Sequence, residues 1–456
     1  MPASLADQML NLFVKQSPVS VMMRATLENV LSDERLNRLF EEHAHRQYCR
    51  ELTFATCAGL MTQVVTRTRK SLHAAYQAQR QEIPVSVTAV YDKLNGMEPQ
   101  ICEALIQETS LGMREMIDFL KPRGTSPIPR YDVRLVDGNH LSGTDKRIKE
   151  LRGQNAAALP GQSIAILDPK RQLVEAVVTC EDGHTNERKL IPALLEHVRP
   201  RQCWIADSLF CTLAYLFGVR TARGHFVVRQ HSQLQGELTG QCRKIGRVDT
   251  GMVHEQSMII RHKGEPMTVR RITVRRDTPT QKGKNEVHIL TSLPASIDAI
   301  KVAQAYRERW KIETAFQDLT TNLRCEINTL GYPDAALFGF SIAIVMYNVL
   351  SVVQSALLAA AKKKPERNLS LYAITNEISE VWHGMLLALP KEVWQQYASL
   401  SPRQLAMQLQ QIAAHAKIEM LITYKWSQKK KRTKPTKGKR GDHVATQRII
   451  DQRTHQ

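Results

Sequence analysis

Tyr306, Arg309 and Glu313 stand three and seven residues apart in the segment AQAYRERWKIETAFQDLTTNLR. At about 100° per residue of helix, the three fall within roughly 60° of arc. A phenol, a guanidinium and a carboxylate therefore share one face of one predicted helix. Ala305, Ile312, Phe316, Leu319 and Leu323 form an apolar stripe beside that face, while Glu308 and Lys311 point elsewhere. A helix buried on one side, with Tyr, Arg and Glu along its rim, suits metal-assisted chemistry on phosphate. The carboxylate can ligate a divalent cation, and the other two groups can hold phosphate oxygens. A surface helix with one local ion pair fits the same spacing.

Two segments upstream add carboxylates. RYDVRLVDGNHL places Asp137 at the end of a Val/Leu-rich strand, and RQCWIADSLFCT places Asp207 at the end of another. Together with the helix, they make the chain resemble the insertion-sequence-four family of bacterial DDE transposases, whose signature is Tyr-x2-Arg-x3-Glu-x6-Lys. Here the signature reads Tyr306, Arg309, Glu313 and then Thr320, so the final Lys is absent. The resemblance spans roughly residues 130–350. It implies that Asp137, Asp207 and Glu313 are the catalytic carboxylates and hold two Mg2+ ions, with Mn2+ able to substitute. Tyr306 and Arg309 would grip phosphates near the cut end. Arg324, one turn beyond Thr320 on the same predicted face, either stands in for the missing Lys or leaves a phosphate grip weaker by one charge. The activity implied is hydrolysis of a DNA phosphodiester followed by strand transfer of the freed 3′-hydroxyl. Terminal inverted repeats and target DNA are the implied partners, and a homodimer on DNA is the implied working form. An inactive, transposase-derived DNA-binding protein and a ribonuclease-H-like nuclease without strand transfer are the alternatives.

The organisation expected is α/β. Residues 1–120 read as helices, with a short helix, a turn at residues 95–99 and a longer helix forming a candidate helix-turn-helix in a DNA-binding region. KPRGTSPIPR marks a boundary. Strand, hairpin (turning at Asp168-Pro169-Lys170), helix and strand then follow, the order of a ribonuclease-H-like catalytic core over residues 130–330. Asp207 and Glu313 lie 106 residues apart, more than such a core needs. A β-rich insertion at about 220–298 fills the difference, with HFVVRQ, SMIIRH, MTVRRITVRR and EVHILTSL as its strands. The doubled arginines Arg270, Arg271, Arg275 and Arg276 leave several guanidiniums on a solvent face, where the resemblance implies that they touch DNA. Its one aromatic residue, Phe226, lies in a predicted strand. Asp182 and Glu187 are expected to begin the helix 187–198 as caps, and Trp310 and Phe316 to be core residues. Helices continue over 331–424, before a low-complexity basic tail at 425–456.

Charge sharpens the choice of partner. The 456 residues carry a formal +19. Residues 220–298 hold 14 Lys/Arg against 7 Asp/Glu, and residues 425–440 hold nine Lys/Arg and no acid. Positive charge concentrated in two blocks points to a polyanion rather than to a membrane. The eight Cys include no C-x2-C pair and no zinc spacing, so reduced thiols are expected. The N-terminus lacks the basic region of a secretory signal, and a cytoplasmic, nucleoid-associated protein is the expectation. Residues 335–361 carry no charge and are long enough to span a bilayer. With Asn348, Gln354 and three Ser, they read instead as a buried core helix.

Overall fold

The computed structural model describes residues 4–121, 124–141, 161–181, 185–279, 283, 285–327, 330–361 and 368–423. The basic tail and Asp182 lie outside the described residues. Seven helices come first: α1 (Leu5–Gln16), α2 (Pro18–Val30), α3 (Asp33–His43), α4 (Phe54–Val65), α5 (Leu72–Ala78), α6 (Val87–Asn95) and α7 (Pro99–Phe119). Most begin at a Ser or Thr whose hydroxyl accepts from a backbone N–H two or three places into the helix, as at Ser32, Thr53, Ser71 and Ser86. Helices α6 and α7 flank the expected turn, yet α7 is no exposed recognition helix. Its faces pack on β3, α12 and α15 (bounds below), and Ile101, Leu105, Ile106, Met113 and Met116 are fully buried.

The middle of the chain builds one nine-stranded mixed sheet in the order β3-β2-β1-β4-β5-β9-β8-β7-β6. Its strands are β1 (Asp132–His140), β2 (Gln162–Asp168), β3 (Leu173–Cys180), β4 (Gln202–Ala206), β5 (His225–Arg229), β6 (Glu237–Val248), β7 (Gly251–His262), β8 (Glu265–Arg276) and β9 (Glu286–Thr291). β1, β4 and β5 run parallel, and the other pairings are antiparallel. The β2–β3 turn is tied by Asp168, whose Oδ1 accepts from Lys170 N at 2.8 Å and from Arg171 N at 3.2 Å. The sequence assigned HFVVRQ to the insertion. It is instead core strand β5, parallel to β4, and the insertion proper is β6–β9, which continues the same sheet.

Two helices separate the parallel strands, α8 (Ile191–Leu195) after β3 and α9 (Leu213–Thr221) after β4. The period of two along each strand divides the core. Val133 and Leu135 face the large cluster built with the N- and C-terminal helices, whereas Val136, Trp204 and Ala206 face a second cluster with α8 and α9. Past the sheet come α10 (Ala299–Arg307), α11 (Trp310–Thr321), α12 (Pro333–Ala360), α13 (Leu371–Ala388), α14 (Lys391–Ala398) and α15 (Pro402–Ala413).

The uncharged segment is α12, the one helix among the described residues long and apolar enough to cross a membrane, and its most apolar stretch is wholly buried. It packs on α2, α4, α7, α15 and β3. Its polar residues explain that placement. Asn348 Oδ1 accepts from Val174 N at 2.9 Å, and Asn348 Nδ2 donates to Val174 O at 2.8 Å. Ser351 Oγ donates to Gln172 O at 2.6 Å. A helix side chain thus satisfies the free edge of β3 where no tenth strand is available. Asn348→Leu would leave two buried backbone groups unpaired, and we expect a loss of about 2–5 kcal/mol in urea unfolding.

Candidate active site at the ends of strands β1 and β4

Strands β1 and β4 pair as far as Val136 with Ala206. The next residue on each is an aspartate, Asp137 and Asp207. Two carboxylates therefore leave the sheet side by side, where the parallel pair parts. Asp137 follows Val133 and Leu135 onto the face covered by α11, which packs directly on β1. Asp207 begins a single 3-10 turn, Ser208–Phe210, and its Oδ1 accepts from Leu209 N at 2.7 Å.

Glu313 arrives from α11, but not along one continuous helix. The ladder breaks at Glu308 and Arg309, where bonds close to the third residue back rather than the fourth: Glu308 N to Ala305 O, Arg309 N to Tyr306 O, Lys311 N to Glu308 O and Ile312 N to Arg309 O. Tyr306 thus lies in the last turn of α10, Arg309 caps α11, and the wheel that joined them holds only within each piece. The apolar stripe survives the break, with Ala305, Ile312, Leu319 and Leu323 buried and Phe316 partly so.

Arg309 occupies the centre. Its Nη1 donates to Asp137 Oδ2 at 2.7 Å, and its Nη2 lies 2.6 Å from Glu313 Oε1. One guanidinium, only 12% exposed, bridges two carboxylates on different elements. The charge beneath it is still not balanced. Burial pushes the Asp137 carboxyl up to about 7, with Asp207 and Glu313 adding to the rise and Arg309 opposing it. Burial also raises the Tyr306 hydroxyl, which Arg309 and Arg229 oppose as neighbouring cations. Glu42, His43 and Glu108 are the His, Cys, Asp and Glu residues among those described whose ligand atoms gather within 4.8 Å. The triad is more open than that, since Arg309 stands inside it. Three hard oxygen donors with excess negative charge and no thiolate or imidazole among them suit Mg2+ or Mn2+.

The other expected residues divide. Thr320 is exposed, and its hydroxyl turns back to Gln317 O at 2.9 Å. Arg324 does not share the α11 face, because the helix ends at Thr321. Its N donates to Val65 O at 2.9 Å and its Nη1 to Lys70 O at 2.5 Å, which ties it to the end of α4. The insertion arginines do not share one solvent face either. Arg270 is held by Glu255 Oε1 at 2.6 Å and by the carbonyls of Pro294 and Ile297 at 2.9 and 2.8 Å. Arg271 binds Gln230 Oε1 at 2.8 Å, Arg275 binds Glu286 Oε1 at 2.8 Å, and Arg276 donates to Thr278 O at 3.0 Å. Trp310 is not a core residue: it is 65% exposed, with the Arg309 guanidinium 5.6 Å from its ring centre. Phe226 is fully buried in β5.

Two residues here were given no place in the site from sequence. Arg229 ends β5 one strand over from Asp207, between two clefts. One, of about 420 Å³, is lined by Arg229, Arg276, Tyr306, Arg307, Arg309 and Trp310, and the other, of about 430 Å³, by Arg229, His231, Arg271 and His288 among others. Glu187 was expected as a helix cap. The cap is instead Asn186, which accepts from Arg188 N at 3.0 Å, and the Glu187 carboxylate turns back over Gly138 of β1. A parallel strand ending in Arg beside a strand ending in Asp was the available signal for the first. The second had none.

Residues 128–349 match the transposase DDE domain. That is just under half of the chain, and it takes in Asp137, Asp207 and Glu313 together with the whole sheet. The match supports kinship with DDE transposases. No curated protein matches the chain. Among solved structures, the cryo-EM structure of the piggyBac transposase synaptic complex with hairpin DNA is similar at 11% identity over 86% of this chain and 84% of that chain, with a TM-score of 0.43. At that level the overlay fixes no detail of the fold or site.

Proposed function

We propose that this chain is a DNA transposase that binds the terminal inverted repeats of its element, cleaves there with two divalent ions, Mg2+ or Mn2+, and joins the freed ends to target DNA. The observation that carries the reading is the convergence of Asp137 and Asp207, twin successors of one parallel strand pair, with Glu313, which shares Arg309 with Asp137. The strand order β3-β2-β1-β4-β5 with helices on both faces agrees with a ribonuclease-H-like core, and the DDE-domain match over the same residues supports the chemistry.

Asp137, facing both other carboxylates, is the central ligand, and Asp207 and Glu313 each complete one side. Bound divalent cations would supply Lewis-acid activation of the attacking oxygen and charge stabilisation at the leaving oxygen. Arg309 meanwhile neutralises the carboxylates, and once they are otherwise neutralised its planar fork is free to take two phosphate oxygens. Tyr306, Arg229 and Arg276 line the same cleft and orient the strand through its phosphates. Cutting two ends in concert needs two such sites, so the working form is a dimer on DNA.

The deciding assay incubates the full chain with its element's end DNA and Mg2+, and follows cleavage and joining of pre-cut ends separately. Cleavage without joining would identify a nuclease, and binding with neither an inactive derivative. The tail gives a further expectation. Removing everything after Tyr424 deletes nine Lys/Arg between residues 425 and 440. For every DNA phosphate that the tail no longer neutralises, the slope of log affinity against log salt should flatten by about 0.9. The preferred end sequence should stay the same, as read by fluorescence anisotropy.

A further inference from the structure

Glu187 belongs to no role described so far. It opens a short 3-10 turn, Glu187–Leu190, that follows β3. Its side chain is 15% exposed, and Oε2 is fully buried with no hydrogen-bond partner among the described residues. A buried carboxylate oxygen without a partner is destabilising, so its presence here calls for a reason. Among the described residues the nearest basic side chain is the ring of His140, 4.0 Å from Oε1, at the outer limit of an ion pair and on the other oxygen.

Its surroundings supply the reason. The carboxylate lies directly over Gly138, the residue after Asp137, and a Cβ there would fall 2.3 Å from Oε1 and 2.9 Å from Oε2. Space for this group therefore exists only because β1 carries glycine next to its aspartate. Burial raises the Glu187 carboxyl, His140 opposes the rise, and the nearby Asp207 carboxylate adds to it. The turn is anchored in place by Arg188, whose Nε donates to Leu209 O at 3.2 Å, in the turn that Asp207 begins. Gly138 alternates with Asp137, so Glu187 approaches from the α8 face while Glu313 approaches from the α11 face. β1 and β4 have parted at this level, which leaves the gap between the aspartates open to both sides.

We propose that Glu187 is a fourth carboxylate ligand of the metal centre, serving the ion on the Asp207 side. The inference rests on the metal-dependent reading above, but it assigns a ligand outside the three-carboxylate signature. It also accounts for the orphan oxygen: Oε2 is held unpaired because a cation completes it.

The test uses the full chain without DNA, titrated with Mn2+ and followed by the EPR signal of free ion. The wild-type protein should bind two Mn2+. Glu187→Gln should weaken one of the two by about tenfold or more, beyond the lower end of what losing an outer partner costs. Its thermal midpoint in EDTA should stay level or rise, because a buried unpaired charge has been removed. Gly138→Ala, which displaces the carboxylate without altering it, should weaken the same ion, and it serves as the independent route should Glu187→Gln fail to fold. Wild-type Mn2+ binding in either folded variant, with Asp137→Asn losing it, would overturn the inference and leave the proposed function standing. Unchanged binding in Asp137→Asn as well would remove the metal centre itself, and the inference with it.

Discussion

Glu313→Gln, Asp137→Asn and Asp207→Asn should each lower DNA cleavage and strand transfer by on the order of 10³-fold or more. Each removes a ligand charge at a point where several kcal/mol of transition-state stabilisation is at stake, and about 1.4 kcal/mol is tenfold in rate. Each is close to isosteric, so end binding without metal should persist. The Glu313 variant is the most discriminating. Its carboxylate holds one end of the Arg309 bridge, and the amide keeps an acceptor there but leaves Arg309 paired in charge with Asp137 alone. A variant that binds ends normally and does not cut would fit the assignment. Substantial cutting by Glu313→Gln in a single-turnover gel assay would remove α11 from the active site.

The second large effect is on stability. In the folded chain the Asp137 carboxyl titrates near 7 rather than near its ordinary 3.8. The sign follows from proton counting. Below about pH 4 both folded and unfolded chains hold this proton and the group is neutral to stability. Between about 4 and 7 only the folded chain holds it, so stability falls as pH rises, and it levels off above 7. Asp318 and Asp334, near 6, and Glu377, near 7, act in the same direction. The difference between Asp137→Asn and wild type isolates the site. In metal-free chemical unfolding, the variant's advantage should grow from near zero at pH 4 to about 2–4 kcal/mol at pH 8. Mg2+ at about 100 times its dissociation constant should then return about 2.7 kcal/mol to the wild type alone. A flat difference across pH would mean that Arg309 fully offsets the crowding of carboxylates.

Both expectations rest on parts of the chain that sequence made legible. Asp137 and Asp207 stood out because each follows a strand segment rich in apolar residues, at the end of a parallel strand. The Asp168 turn was readable from its own chemistry, and Asn348 and Gln354 marked α12 as a protein-facing helix despite its length. What escaped was set by partners distant in sequence. β6 is a polar edge strand with two glycines and no apolar alternation, so nothing in its composition separates it from a loop. β5 was read with the insertion because its parallel pairing to β4 is a non-local fact. The break at Glu308 and Arg309 is invisible to a helical wheel, which assumes regularity, and so is the end of α11 at Thr321, which takes Arg324 off its face. Trp310, next to buried Ile312, was placed inside on hydrophobicity alone. Arg270 and Arg271 were read as one basic face, although neighbours on a strand point opposite ways and the carbonyls that hold Arg270 come from residues 294 and 297.

The pairing of Asn348 with Val174 bears on how this chain could be divided. The matched DDE domain ends at residue 349, midway along α12, yet that helix stays buried as far as Leu357 and packs along its length on α2, α4, α7 and α15. The nine-stranded sheet is closed at its β3 margin by a side chain from the same rod that forms the axis of the helical bundle. Cutting at the family boundary would strip the rod of its sheath and set a long apolar surface into water, so the excised segment should aggregate rather than fold. Exchanging the N-terminal helices with those of a DDE transposase would meet the same obstacle, because any donor would have to fit the grooves of α12 before it could present a DNA-reading surface. In this molecule, the part that would choose the DNA and the part that would cut it are one inseparable body.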